Sequence, residues 1–164
     1  MAKISRNDAE DFVFEEARLL DERRFDEWLR LFSPTGIYWL PIREDAHPNI
    51  ATSLIYDEPL RREERVHRLL RTPAQAQTPP SRTLHAITNV RVESAQRDVR
   101  VHSNQVVHEL RRAGFGQALR GEQRAHAGHC EHVLVENAGQ WRIALKKVVL
   151  LDRDVPIANL TCIF

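Results

Sequence analysis

Cysteine is nearly missing from this chain: Cys130 and Cys162 are the only two in 164 residues. Two are too few for a disulfide scaffold in a domain of this length, so a reducing, cytoplasmic setting is expected. An excess of charge of one sign is missing as well. Against 24 Lys and Arg stand 23 Asp and Glu, a formal charge of +1. No broad basic field exists to hold a phosphate backbone, which excludes a nucleic-acid partner. No apolar run approaches the roughly 20 residues of a membrane span. The opening Met1-Ala2-Lys3-Ile4-Ser5-Arg6 leads into charged, helix-like sequence without an apolar signal core, so neither a membrane nor export is expected. There is no Walker loop, no dinucleotide glycine fingerprint and no Gly-x-Ser-x-Gly elbow. Gly114-x-Gly116 lies between strand-like runs and reads as a hairpin. Neither cysteine sits in an activating context.

What is present suits one globular domain over residues 1–164, with 42% hydrophobic and 29% charged residues. At this size about 68–70% of the unfolded surface can be buried, enough for a core without staples. Ala9, Phe12, Val13, Glu16, Leu19 and Leu20 keep helical spacing, with Glu16 a single acid on the apolar stripe; Asn7 or Asp8 can cap the start. Phe25, Trp28, Leu29 and Phe32 predict a second, shorter helix, broken by Ser33-Pro34-Thr35-Gly36. Ile37 to Leu40 reads as a strand closed by Pro41, and 43–56 as loop. Asp57-Glu58-Pro59 starts a charged helix over 59–71, with Asp57 as its cap. A Pro-rich connector covers 72–80. Strand-like runs follow around Val90–Val92, Val99–Val107, Val133–Val135 and Trp141–Leu151, with turn signals at Ala113-Gly114 and Asn137-Ala138-Gly139. Helices first and antiparallel strands after predict an α+β fold, with the helices on one face of a curved sheet.

Several patterns hint at chemistry. The tract His126-Ala-Gly-His129-Cys130-Glu131-His132 looks like a metal site, but strand alternation puts Cys130 and His132 on one face and His129 and Glu131 on the other. His129-x-Glu131 could form part of a two-His, one-carboxylate iron site with His102 or His108 from a neighbouring strand. Cys130-x-His132 is half of a Rieske pattern. The other half needs a second Cys followed closely by His, and Cys162 is followed only by Ile163 and Phe164. A helix-wrapped sheet also encloses a pocket that Tyr38, Asp57, His85 and Trp141 could face, where a buried carboxylate or His would serve as a general base. The connector's end, from Pro79-Pro80-Ser81-Arg82-Thr83-Leu84-His85 to Val90, sets rigid prolines beside an Arg, hydroxyls and a His. That is a pre-organised polar edge suited to docking.

This last stretch, Pro79 to Val90, resembles the β (small) subunits of aromatic-ring-hydroxylating dioxygenases. Other segments resemble the same family in the same order: Phe14 to Asp21, Phe25 to Leu29, Tyr38-Trp39-Leu40-Pro41, Ser53-x-Ile55-Tyr56-Asp57, Arg65 to Leu69, and Trp141 to Asp152. The resemblance implies a cystatin-like, nuclear-transport-factor-like cone. It implies a homotrimer that joins a large α subunit as α3β3. The α subunit would carry the Rieske [2Fe-2S] cluster and the mononuclear iron, leaving no cofactor, metal or catalytic residue in this chain. The reaction so implied adds both atoms of dioxygen to an arene, giving a cis-dihydrodiol, with electrons from NADH through separate reductases. Two stretches depart from the family's look: the polar run Asn104 to Glu109, and the His-rich tract at 126–132.

The expected role is therefore a non-catalytic scaffold. Arg82, Thr83, His85 and Trp141 are the expected subunit contacts. The rival readings are a free-standing dehydratase or isomerase using Tyr38, Asp57 and His85, and a ligand-binding module that uses the pocket without chemistry.

Overall fold

The computed structural model describes residues 4–47, 52–72, 79–94, 98–111, 121–157 and 160–164. Helix α1 (Arg6–Asp21) begins at Ser5, whose hydroxyl accepts from the Asp8 amide at 3.1 Å while the Asp8 carboxylate reaches back to the Ser5 amide. This reciprocal box satisfies two donors at once. Asp8 thus acts as the third helical residue of the box, and Ser5 caps in place of the expected Asn7 or Asp8. The apolar stripe buries Ala9, Val13, Leu19 and Leu20, and Glu16 goes inside with them.

Helix α2 (Phe25–Leu29) is shorter than its spacing predicts. Phe32 opens strand β1 (Phe32–Pro41), so Ser33 to Gly36, expected as a break, are extended. The backbone turns over at Arg30, and the Leu31 carbonyl then accepts from the Ile143 amide at 2.8 Å. Sheet pairing thus captures Phe32 before a second helical turn can use it. Strand β2 (Ser53–Asp57) takes up the end of the stretch expected as loop, 43–56, and runs on through Asp57. It is short and contributes mainly Ile55 to the core, so its two-residue period is barely developed. Helix α3 (Pro59–Arg71) has Glu58 at the cap position and Pro59 in its first turn. Asp57 does not cap it: its carboxylate binds Arg65 at 2.5 and 3.2 Å instead.

The remaining strands are long: β3 (Arg82–Ser94), β4 (Val99–Arg111), β5 (Glu122–Asn137) and β6 (Gln140–Leu150). The expected turn between the last two is present, with Ala138 and Gly139 at φ of 51° and 75°. The Ala113-Gly114 signal and most of the 72–80 connector fall outside the described residues. The sheet runs β2-β1-β6-β5-β4-β3. Its pairs are antiparallel except β1 with β6, which is parallel. The fold is α+β, as expected.

Alternation decides the inner face. Along β4, Val99, Val101, Ser103, Gln105, Val107 and Glu109 are buried; along β5, His126, Gly128, Cys130, His132 and Leu134. Around Trp28 the core is aromatic, with Phe32 and Tyr38 edge-on at 5.1 and 5.7 Å between ring centroids.

Gly128 stands where the chains are closest. A Cβ there would lie 2.7 Å from the Val149 carbonyl oxygen and 3.2 Å from the Leu150 Cα. Both obstacles are backbone in the paired strand β6 and cannot swing aside. Gly128→Ala is expected to cost about 1–3 kcal/mol through overpacking, read as a lower urea midpoint. An unchanged midpoint would contradict this close approach.

Candidate functional site

The acid on the apolar stripe of α1 organises the most buried polar group. The Trp28 indole donates to Glu16 Oε1 at 2.9 Å. Lys146 Nζ lies 2.8 Å from the same oxygen. His132 Nε2 lies 2.7 Å from Oε2. Cys130 Sγ lies 3.7 Å from His132 Nδ1. The side chains of Glu16, His132 and Lys146 are 3%, 2% and 1% exposed, so this is a charge cluster out of reach of water. Burial alone would raise the Glu16 pKa. The Lys146 ammonium and the His132 imidazolium outweigh it and hold the carboxyl well below the usual range. Burial likewise opposes a charged His132, yet Cys130 and Glu16 raise it from 6.5 to about 9.

The sequence-predicted pocket residues do not converge on one open site. Tyr38 and Asp57 are direct partners across β1 and β2. Tyr38 is fully buried, and its phenol oxygen accepts from the Phe164 amide at 3.0 Å. Burial pushes its pKa up, beyond use as a base near neutrality. Asp57 is held by Arg65. His85 sits at the far edge of the sheet, on β3. Its backbone amide and Nδ1 both meet the Asp21 carboxylate, at 2.9 and 2.6 Å, and Nε2 meets the Ile163 carbonyl at 2.9 Å. Trp141 is half-buried on β6, against the core.

The expected docking residues divide by strand alternation. Thr83 and His85 turn inward, where the Thr83 hydroxyl donates to Asp21 Oδ1 at 2.9 Å. Arg82 and Leu84 turn outward, and Leu84 is 58% exposed. β3 is an edge strand, so this outward row lies on an open margin of the sheet.

The His-rich tract splits as alternation predicts. Cys130 and His132 face the core, and His129 and Glu131 face outward. On the outer face His102 stands opposite Glu131, and Asn104 opposite His129. The register needed for a shared iron site is therefore present, but the side chains bind elsewhere. His129 pairs with Asn104 at 2.9 Å, Glu131 with Arg100 at 2.8 Å, and His102 with Glu93 at 3.6 Å. Among the described residues no group of three His, Cys, Asp or Glu is placed to hold a metal ion. Both ring nitrogens of His132 are engaged, so the half-Rieske pair is committed to the core. As arranged among the described residues, neither half-pattern of the tract 126–132 fits an iron centre.

A family model described as "Ring hydroxylating beta subunit" matches residues 15–156. The chain belongs to this family. It is 40% identical over 100 residues to a 2-halobenzoate 1,2-dioxygenase small subunit from Burkholderia cepacia, an alignment covering 57% of this chain and 61% of that one. It is 31% identical over 153 residues to the small oxygenase component of a p-cumate 2,3-dioxygenase system from Pseudomonas putida, covering 91% and 81%. The crystal structure of the β subunit of a benzoate 1,2-dioxygenase from Burkholderia mallei superposes with a TM-score of 0.76 at 26% identity, covering 99% of this chain and all of that one. The expected cone is thus shared along the whole β subunit. Glu16, the residue that orders the interior, was visible in sequence only as a misfit on an apolar stripe. Its partners Trp28, His132 and Lys146 come from three other elements, and no local spacing joins them.

Glu16→Gln leaves Lys146 and His132 buried with no counter-charge and is expected to cost about 3–5 kcal/mol in urea unfolding. His132 has a raised pKa, so its contribution is full below pH 6.5 and is lost as pH rises through about 9. Glu16 has a lowered pKa, so its contribution is lost as pH falls below its ordinary value of 4.5. Parent stability should fall on both sides, with the alkaline fall reduced in Glu16→Gln. A parent whose stability is flat from pH 6.5 to 9.5 would contradict this account.

Proposed function

We propose that this protein is the small, non-catalytic subunit of a ring-hydroxylating dioxygenase that acts on benzenecarboxylates. The supporting observation is likeness along the whole chain to the β subunit of a benzoate 1,2-dioxygenase, joined to an interior whose acid–base side chains are each tied to a structural partner. The substrates in the names of the three relatives above, 2-halobenzoate, p-cumate and benzoate, are ring carboxylates, while relatives at 24–25% identity are named for benzene and biphenyl. On this reading the enzyme is a cytoplasmic α3β3 assembly. Its large subunit holds the Rieske cluster and the mononuclear iron, which together supply dioxygen activation. Electrons come from NADH through reductase partners.

The chain's own part is to present surface. Arg82 and Leu84 offer a charge and an apolar side chain on the margin of β3, while Asp21 fixes the backbone behind them through Thr83 and His85. Exposed apolar groups in such a row suit burial against another subunit. Leu151 and Val155 add 61% and 57% exposed side chains after β6.

Co-expression with a large subunit should give a brown complex of equal stoichiometry that converts benzoate to its cis-dihydrodiol. The small subunit alone should be colourless and inactive. Arg82→Glu with Leu84→Glu should weaken assembly at least tenfold by analytical ultracentrifugation, with circular dichroism unchanged. Stoichiometric iron on the small subunit alone, or turnover by it alone, would overturn the reading.

A further inference from the structure

We propose that the cone's interior contains a binding site for a secondary amide of an arylethylamine, and that the chain's own residues 160–164 are its occupant. The segment crosses the inner face of the sheet and meets a side chain from each of four strands. The Thr161 hydroxyl donates to Glu109 on β4 at 2.5 Å. His85 on β3 meets the Ile163 carbonyl at 2.9 Å. Tyr38 on β1 accepts from the Phe164 amide at 3.0 Å. His126 on β5 lies edge-on to the Phe164 ring, with centroids 5.7 Å apart.

The two middle contacts fall on one peptide group. The Ile163 carbonyl and the Phe164 N–H are opposite sides of a single amide, gripped by His85 on the oxygen and Tyr38 on the nitrogen. His85 is aimed by the Asp21 carboxylate at its other ring nitrogen. Beyond the clamped amide, the Phe164 ring enters a slot and is fully buried.

Tyr38, His85 and Glu109 each spend a hydrogen bond on this one short segment, and His126 packs against its last ring. A few polar groups converging between apolar walls are also the make-up of a small-molecule site. The occupant also fills it. Between the segment, Leu20, Phe25, Leu69 and the inner face of β3 remains a cavity of about 20 Å³, room for about one water. The ligand class follows from the occupant atoms that these contacts hold and the carbons that join them: carbonyl acceptor, N–H donor, two carbons, aromatic ring. N-(2-phenylethyl)acetamide reproduces all four. This inference does not depend on the role proposed above.

The test uses the full chain carrying Phe164→Ala, which empties the slot and leaves the backbone in place. Its melting temperature should drop, and toluene should restore several degrees while leaving the parent unmoved. N-(2-phenylethyl)acetamide should compete with the weakened segment and release it. Cys162, buried beside the clamp, should then react several-fold faster with a thiol reagent, located by peptide mapping, while Cys130 labelling stays constant. The N-methyl analogue, which has no N–H for Tyr38, should do neither. If F164A does not fold, F164L carries the amide and Cys162 measurements. Failure of toluene to stabilise folded F164A would overturn the slot. Faster Cys162 labelling absent with the amide, or equal with its N-methyl analogue, would overturn the ligand class. Neither result bears on assembly with a large subunit, which is scored by complex formation.

Discussion

One carboxylate, that of Glu16, sets the interior of this fold. It is buried against an ammonium, an imidazole ring and an indole N–H drawn from β6, β5 and α2. An ion in that position is costly unless all of its neighbours are in place, and so are they without it. The consequence is geometric. α1 can lie against the sheet in only one rotation and one axial position, because a shift of one residue would turn Glu16 towards apolar side chains. Hydrophobic contact alone, from Val13, Leu19 and Leu20, would tolerate sliding. The charge cluster converts a greasy contact into a fixed one, and with it fixes Asp21 at the far end of α1.

Asp21 passes that position on to the sheet's margin. It receives the His85 amide, the His85 ring and the Thr83 hydroxyl, so the start of the edge strand β3 is tied to the end of α1. Edge strands are free to fray or to pair with the wrong neighbour. Here one carboxylate with three donors holds the strand's inner side, which leaves the outward row of Arg82 and Leu84 in a defined line. A surface meant to meet another subunit loses less entropy on docking when it is already ordered.

The legible parts of this structure were those where one element's own period decides the outcome. The long strands, the helix over 59–71, the turn at Asn137-Ala138-Gly139 and the split of Cys130 and His132 from His129 and Glu131 all follow from alternation or helical spacing. The misreadings have another origin. Phe32 continues a helical spacing but is drawn into β1 by pairing with β6, whose residues lie over a hundred positions away. β2 is too short to display a period. Asp57 looks like a cap, and Arg65 claims it two turns later. For Phe32 and Asp57 a tertiary partner overrode a local preference. The pocket residues were misplaced for the same reason: Tyr38, Asp57 and His85 are individually where strand and helix boundaries put them, but nothing local says that Asp21, Arg65 and residues 161–164 hold them.

That last point bears on how one fold can serve both as an enzyme and as a platform. A pocket enzyme needs polar groups with spare hydrogen-bonding capacity facing an accessible space. In this protein the same kinds of group, a Tyr, a His aimed by a carboxylate, and a buried Glu, face inward from three strands, yet each is satisfied by the chain itself. Filling the interior with covalently attached sequence removes the cavity and ties four strands together through one segment. It stiffens the cone while silencing its acid–base groups. Chemistry and rigidity therefore compete for the same space inside this fold, and residues 160–164 decide the competition for rigidity.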